Sequence, residues 1–386
     1  MTSLDAQPVW RVNGMGKRWS THGPGVLDLG VAEMDVSACP PVFDAVRRAV
    51  SAEAFGYPVP DARSGVPEAT SRWLSGFGLA VPADAVRIVP DALRGIAVAI
   101  RNLTRPGSAV IVPTPTYQRF IEVVPLTGRE TIEVPLVGGR DLDLDAIERA
   151  LAAGAGSVLL CHPVNPTAVV FGADQLTALA ELVDRWGGRV ITDEVHAPIR
   201  YGHPFTPYAA LNDTARAHAV TVTSATKAWN FPGLRTAVMA LTKPADVEVW
   251  DGLRHLETSG ASPLGMIATA AAFDHGQPWL GAVLADLDDH RHQVVETLAD
   301  NGLGEIAQLP DATYLAWLDL RAWDENRPAE LLRETAGVAL GEGALYGAAG
   351  AGFARLNFAT APDVLAEALD RIVRVLTKSR STGGPG

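Results

Sequence analysis

The segment Ser224-Ala-Thr-Lys227 places a lysine eight positions before Arg235 and 34 positions after Asp193. A lysine amine can form an imine with an aldehyde. A carboxylate held at a strand end can keep a proton on a ring nitrogen, and a serine and an arginine close to the lysine can take a phosphate. Together these groups meet the needs of a pyridoxal 5′-phosphate (PLP) pocket. Asp193 closes the apolar run Arg189-Val-Ile-Thr-Asp193, where it would hold the pyridine nitrogen protonated so that the ring accepts electrons from a carbanion at a substrate Cα. Lys227 is followed by Ala-Trp-Asn-Phe-Pro-Gly, an apolar setting that lowers an amine's pKa and frees it as a nucleophile. A strand-ending Asp-Glu or a single lysine, taken alone, is most often a solvated surface group. The combination carries the assignment.

Further groups fit the same pocket, each with a plainer alternative. Pro90-Asp-Ala-Leu-Arg-Gly95 leads from a strand into a helix, whose first amides, those of Ala92 and Leu93, are candidates for the phosphate alongside Ser224 and Arg235. Tyr117, after Pro113-Thr-Pro-Thr, could stack on the ring or be an ordinary core or surface tyrosine. Asn165 could donate to the phenolic oxygen of the cofactor or simply open an Asn-Pro turn. Arg355, in Phe-Ala-Arg-Leu-Asn-Phe, alternates with apolar residues on an expected strand. It suits a substrate carboxylate through two parallel hydrogen bonds, or else faces solvent from an edge strand.

These groups need a scaffold, and the sequence describes one. From residue 85 onward, β-branched apolar runs (Val86-Arg-Ile-Val, Ser108-Ala-Val-Ile-Val, Ser157-Val-Leu-Leu, Arg189-Val-Ile-Thr, Ala219-Val-Thr-Val, Thr236-Ala-Val-Met) alternate with helical patterns at 93–103, 142–152 and 173–186. Strands of this kind, buried on both faces and separated by helices, imply an α/β domain with a mostly parallel sheet and a pocket at the carboxyl ends of the strands. A long helix over 278–300 then gives way to Thr313-Tyr-Leu-Ala-Trp-Leu-Asp-Leu, a helix, and the strand around Arg355. We expect a large domain over 48–283 and a smaller α+β domain built from 1–47 and 284–386. The tail after residue 378, Ser-Arg-Ser-Thr-Gly-Gly-Pro-Gly386, is expected to lack structure.

Composition narrows the partners. The 386 residues carry a formal net charge of -12, which repels nucleic acid and anionic membrane and leaves small molecules. There is no run of about 18 apolar residues and no basic-apolar leader. The two cysteines, Cys39 and Cys161, form neither a disulfide framework nor a metal spacing. A cytoplasmic enzyme is expected.

With these segments in place, the sequence resembles the fold-type I PLP enzymes of the class I/II aminotransferase superfamily, which share the aspartate aminotransferase-like PLP-dependent transferase fold. Within it the chain is similar to the MalY/PatB type of cystathionine β-lyase. The resemblance spans nearly the whole chain and rests on Val31-Ala-Glu-Met-Asp35, Phe55-Gly-Tyr57, Pro90-Asp-Ala-Leu-Arg-Gly95, Pro115-Thr-Tyr117, Pro163-Val-Asn165-Pro-Thr167, Thr192-Asp193-Glu-Val-His196, Ser224-Ala-Thr-Lys227-Ala-Trp-Asn230, Gly233-Leu-Arg235, Thr313-Tyr-Leu-Ala-Trp-Leu and Arg355-Leu-Asn-Phe. The Asp-Glu-Val-His and Lys-Ala-Trp-Asn forms favour the lyase branch. The resemblance implies Lys227, Asp193 and Tyr117 as catalytic, Asn165, Ser224 and Arg235 on the cofactor, and Arg355 on the substrate amino acid. It adds Tyr57, reaching the phosphate of a neighbouring subunit in a homodimer with shared sites, and His196, where aminotransferases place a tyrosine near the phenolic oxygen. The implied activity is carbon-sulfur β-elimination from cystathionine or another S-substituted cysteine. Aminotransfer, or the decarboxylating and oxidising chemistry of antibiotic-pathway relatives, would use the same groups. Departures from the family pattern at His162, Val164, Ala168, Gln118 and Arg119 are expected to border the substrate side of the ring and to bear on which of these outcomes applies.

Overall fold

A computed structural model describes residues 16–382. The strands in chain order are β1 (Leu27–Asp28), β2 (Val86–Val89), β3 (Val110–Thr114), β4 (Thr131–Pro135), β5 (Ser157–Cys161), β6 (Arg189–Asp193), β7 (Ala219–Thr223), β8 (Ala237–Leu241), β9 (Leu315–Asp319), β10 (Val338–Ala339), β11 (Gly341–Glu342) and β12 (Phe353–Asn357). A seven-stranded sheet in the order β2-β8-β7-β6-β5-β3-β4 forms the centre. In it β8 runs antiparallel to both its neighbours, and the remaining pairs are parallel.

The continuous apolar runs follow from burial on both faces. Successive side chains of a strand point to opposite sides, and two separate core layers result. Ile111, Val158, Leu160, Val190 and Val238 pack on one side with Leu176, Leu179 and Val183 of the helix Ala173–Arg185. Val110, Val112, Leu159, Ile191, Val220 and Val222 pack on the other with Ile96 and Ile100 of the helix Ala92–Asn102. The parallel strands β5 and β6 end in Cys161 and Asp193, and β7 leads directly into Ser224.

Two elements escape the sequence patterns. β4 is an edge strand in which only Val134 is buried, so it shows no apolar run. The helix Gln118–Leu126 carries Pro125 in its last turn, a residue that argues against helix unless only its end is meant. The tail expectation is corrected in part. The helix Pro362–Thr382 is anchored on the core by Leu365, Leu369, Ile372 and Leu376 and propagates through the first four tail residues, each further turn gaining backbone hydrogen bonds. The rest of that tail, and residues 1–15 of the expected small domain, lie outside the described residues. No helix among the described residues is long and apolar enough to cross a membrane.

The N-terminal segment is built into the C-terminal part of the chain. β1 pairs in parallel with β10, and β11, β12 and β9 form an antiparallel sheet. Leu29, Met34 and Val36 share a core with Leu315, Leu356, Phe358 and Leu369. Arg18 and Asp35, both fully buried, form an ion pair at 3.2 Å. Arg18 also donates to the carbonyls of Asp28 (2.6 Å), Glu33 (3.1 Å) and Ala359 (3.2 Å). Asp35 accepts from Trp19 Nε1 (2.9 Å) and Thr360 Oγ1 (2.7 Å). We propose the domain division at 47/48 and 283/284, where both borders fall inside continuous helices, Pro40–Ser51 and Gln277–Asp300.

Removing one member of a buried ion pair leaves the other charge uncompensated, typically a loss of about 3–5 kcal/mol. Arg18→Met is therefore expected to lower stability by roughly that amount in urea denaturation, and a change under about 1 kcal/mol would contradict this role for Arg18.

Candidate active site

A cavity of about 660 Å³ opens at the carboxyl ends of the central strands. The bent segment around residues 30–33 and the stretch that follows β10 also line it. Of the residues singled out from sequence, Ala92, Leu93, Tyr117, Asn165, Asp193, His196, Ser224, Lys227, Arg235 and Arg355 all line it. Tyr57 does not. It is fully exposed to solvent, as the neighbouring Phe55 largely is.

Lys227 follows β7 in a turn of small and hydroxylated residues, and Nζ donates to the Ala32 carbonyl at 2.8 Å. Burial lowers its pKa to about 8, assisted by the Arg355 cation and opposed by Glu33 and Asp193. The amine is thus far closer to its nucleophilic form at neutral pH than a surface lysine. Asp193 is moved the other way, up to about 6, by burial, against the Val195 amide that donates to Oδ1 at 3.0 Å and the Lys227 charge. His196 is buried and neutral, its pKa pushed down to about 3 by burial and by the charges of Lys227 and Arg355. Its ring meets Tyr314 edge-on at 5.7 Å, and Nδ1 has no hydrogen-bond partner among the described residues.

Arg355 lies on β12, the middle strand of its sheet, and is buried. The edge-strand alternative is thereby excluded. Its guanidinium donates to Asn165 Oδ1 at 2.8 Å and to the Gly30 carbonyl at 2.6 Å, with Tyr346 5.0 Å away under its charge. Gly341 must lack a side chain here, because a Cβ would stand 2.6 Å from Tyr346 Oη and 3.4 Å from Arg355 Cβ. Asn165 therefore spends its carbonyl oxygen on Arg355 and keeps its amide hydrogens for another acceptor. Tyr117 caps the helix Gln118–Leu126, with its ring edge-on to Phe120 at 5.7 Å.

At the other end, Asp91 caps the helix Ala92–Asn102 through Arg94 N at 2.8 Å and pairs with Arg235. The amides of Ala92 and Leu93, at the start of the helix, have no carbonyl within the helix to bond. Ser224 Oγ donates to the Thr236 carbonyl (2.7 Å) and accepts from Thr226 N (3.1 Å), with Thr226 Oγ1 at 2.8 Å. Thr226, not singled out from sequence, adds a second hydroxyl to this end of the cavity. The Ser-Ala-Thr-Lys spacing was the available signal for it.

The family departures divide. Gln118 and Arg119 line the cavity, Arg119 paired with Glu122. His162, Val164 and Ala168 do not, which corrects the expectation that they border the substrate. His162 is stacked between Phe171 (5.8 Å) and Phe205 (4.6 Å), and burial pushes its pKa down to about 3. Val164 belongs to a core layer, and Ala168 turns the chain at φ 61° while its carbonyl accepts from Asp311 and Ala312.

The fold is the PLP-dependent, aminotransferase-like fold. Residues 24–372 match the family of class I and II aminotransferases, and the chain belongs to it. It is 38% identical over 363 residues to cystathionine beta-lyase of Corynebacterium glutamicum, covering 93% of this chain and 96% of that one. It is 28% identical over 383 residues to cystathionine beta-lyase PatB of Bacillus subtilis, covering 95% and 98%. A provisionally assigned PLP-dependent beta-cystathionase from Corynebacterium diphtheriae has a solved structure that superposes with a TM-score of 0.92 at 36% identity, over 98% of this chain and 99% of that one.

Asp193→Ala is expected to leave cofactor capture by Lys227 intact and to lower turnover roughly a thousandfold, as loss of a charge interaction worth about 4 kcal/mol would do. Steady-state kinetics on the cofactor-loaded variant checks this. Turnover within about tenfold of the unaltered enzyme would refute the role.

Proposed function

We infer that the protein is a PLP-dependent carbon-sulfur β-lyase acting on cystathionine or another S-substituted cysteine, with thiol, pyruvate and ammonia as products. The observation that carries this is the half-buried Lys227 amine, its pKa drawn down to about 8, in the cavity that Asp193 also lines, in a chain 38% identical to a cystathionine beta-lyase over 93% of its length.

The residues present fit the cofactor. At one end, the Ala92 and Leu93 amides, Ser224, Thr226 and Arg235 supply a helix N-terminus, two hydroxyls and a cation for a phosphate. At the other, Asp193 supplies a carboxylate for a ring nitrogen, and His196 and Asn165 line the same space. When bound, PLP supplies an aldehyde that takes up amines and a protonated ring that accepts the electron pair left when a Cα–H bond breaks. Asp193 would hold the proton on the ring nitrogen, Tyr117 would pack on the ring, and Asn165 would donate to the phenolic oxygen. Arg355 binds the substrate carboxylate, which fixes Cα within reach of Lys227. Lys227 Nζ then removes the Cα proton, and the thiol departs from Cβ.

We also propose a homodimer, in which the exposed segment holding Phe55, Tyr57 and Val59 packs on a second copy and Tyr57 completes that copy's phosphate site. A cytoplasmic setting accords with two buried, unpaired cysteines.

A β-lyase turns over without a second substrate. The loaded enzyme given cystathionine and no keto acid is expected to release pyruvate and thiol in equal amounts over many turnovers, measured by mass spectrometry. Product that stops at one equivalent per site until a keto acid is added would show aminotransfer, and an aldehyde lacking the carboxylate would show decarboxylation.

A further inference from the structure

The Ala32 carbonyl receives two side-chain donors, Lys227 Nζ at 2.8 Å and Tyr314 Oη at 3.1 Å. Tyr314 is buried, and burial drives its phenol far above the usual range, so it acts only as a neutral donor. Glu33, the next residue, is half-buried and lines the same cavity. Its backbone is immobilised, because its carbonyl accepts from Asn357 Nδ2 at 2.6 Å and from Arg18 at 3.1 Å. The next residue, Met34, is gripped by Asn230, whose amide donates to the Met34 carbonyl at 2.7 Å while its oxygen accepts the Met34 amide at 3.0 Å. Asn230 lies three residues beyond Lys227, so one polar side chain locks the segment to the lysine turn. The charged and titratable groups around the amine are Glu33 from this segment, Asp193 from β6, His196 just after it, Tyr314 just before β9 and Arg355 from β12. Of the acids, Glu33 favours the charged amine more than Asp193 does.

We propose that Ala32, Glu33 and Tyr314 form a docking station for the Lys227 amine in the interval when it is free of the cofactor. The Ala32 carbonyl, oriented by Tyr314, fixes Nζ, and the Glu33 carboxylate balances the charge that Nζ acquires with the substrate's Cα proton. In this step the Cα–H bond breaks and an N–H bond forms. As the Cβ–S bond breaks, the proton passes from Nζ to the departing sulfur, Nζ returns to neutral, and no oxidant or reductant enters. Glu33 and Tyr314 are positioning residues. The station rests on Lys227 as the base, as in the function proposed above, and would serve any reaction in which that amine takes the Cα proton.

The sequence holds four lysines, at 17, 227, 243 and 378, so their reactivity can be followed one by one. Cofactor-free full-length protein is pulsed with acetic anhydride between about pH 6 and about pH 10, and each lysine is quantified by mass spectrometry. Labelling of Lys227 is expected to rise with pH through a midpoint near 8. Loss of a nearby negative charge disfavours the ammonium, so Glu33→Gln should move that midpoint down by roughly half a unit or more, and Glu33→Asp should restore part of it. The profile of the exposed Lys17 should stay fixed in both. Tyr314→Phe, which keeps the ring against His196, should lower kcat about tenfold with KM nearly unchanged. An unmoved Lys227 midpoint in Glu33→Gln, or full kcat in Tyr314→Phe, would overturn the station. The labelling needs neither cofactor nor turnover, so it stays readable even if the products prove to be those of aminotransfer.

Discussion

The site depends on one demand, that an irregular stretch of backbone outside the central sheet find partners for its buried carbonyls. Between residues 28 and 34 the chain receives most of them from side chains. Arg18 bonds Asp28 and Glu33, Arg355 bonds Gly30, Asn357 bonds Val31 and Glu33, Lys227 and Tyr314 bond Ala32, and Asn230 bonds Met34. Several of these donors are the groups proposed for catalysis. Hydrogen bonding that closes the cavity therefore also sets the lysine and the arginine at its edge. Arg355 and Asn357 reach the segment from the same face of β12, as alternate positions of a strand do.

Burial then shapes the charges. Desolvation pushes both members of the central pair toward their neutral forms, Lys227 down to about 8 and Asp193 up to about 6, while their mutual attraction pulls the other way. Arg355 stays engaged on two acceptors and adds to the downward pressure on the lysine. An amine that exchanges its proton near neutrality is what Cα deprotonation asks for.

Much of this was legible in the sequence. Apolar β-branched runs marked the central strands, because burial on both faces leaves few polar positions within them, and Asp193 and Lys227 were conspicuous as charged residues at or just after the ends of such runs. The helix starting at Ala92 was marked by the strand-to-helix run Pro90-Asp-Ala-Leu-Arg-Gly95. β4 was not legible, since an edge strand needs few apolar residues. Contacts between distant segments also left no local trace. Nothing in Met-Asp announces that Asn230 binds Met34, and nothing around Thr226 distinguishes it from a turn residue. His162 was misread for a related reason: a departure from the family pattern close to Asn165 suggested the site, whereas the ring is held in an aromatic stack. Tyr57 stands apart from the cavity, fully exposed, which is the placement the proposed dimer requires of a group that would serve another subunit.

The central claim is that Lys227 alone carries the cofactor. Reducing the loaded enzyme with borohydride and digesting it should yield a single peptide bearing the pyridoxyl mass, with the modification on Lys227. The modification falling on Lys17, the other lysine that lines the cavity, or on Lys243 or Lys378, would contradict the account at its root.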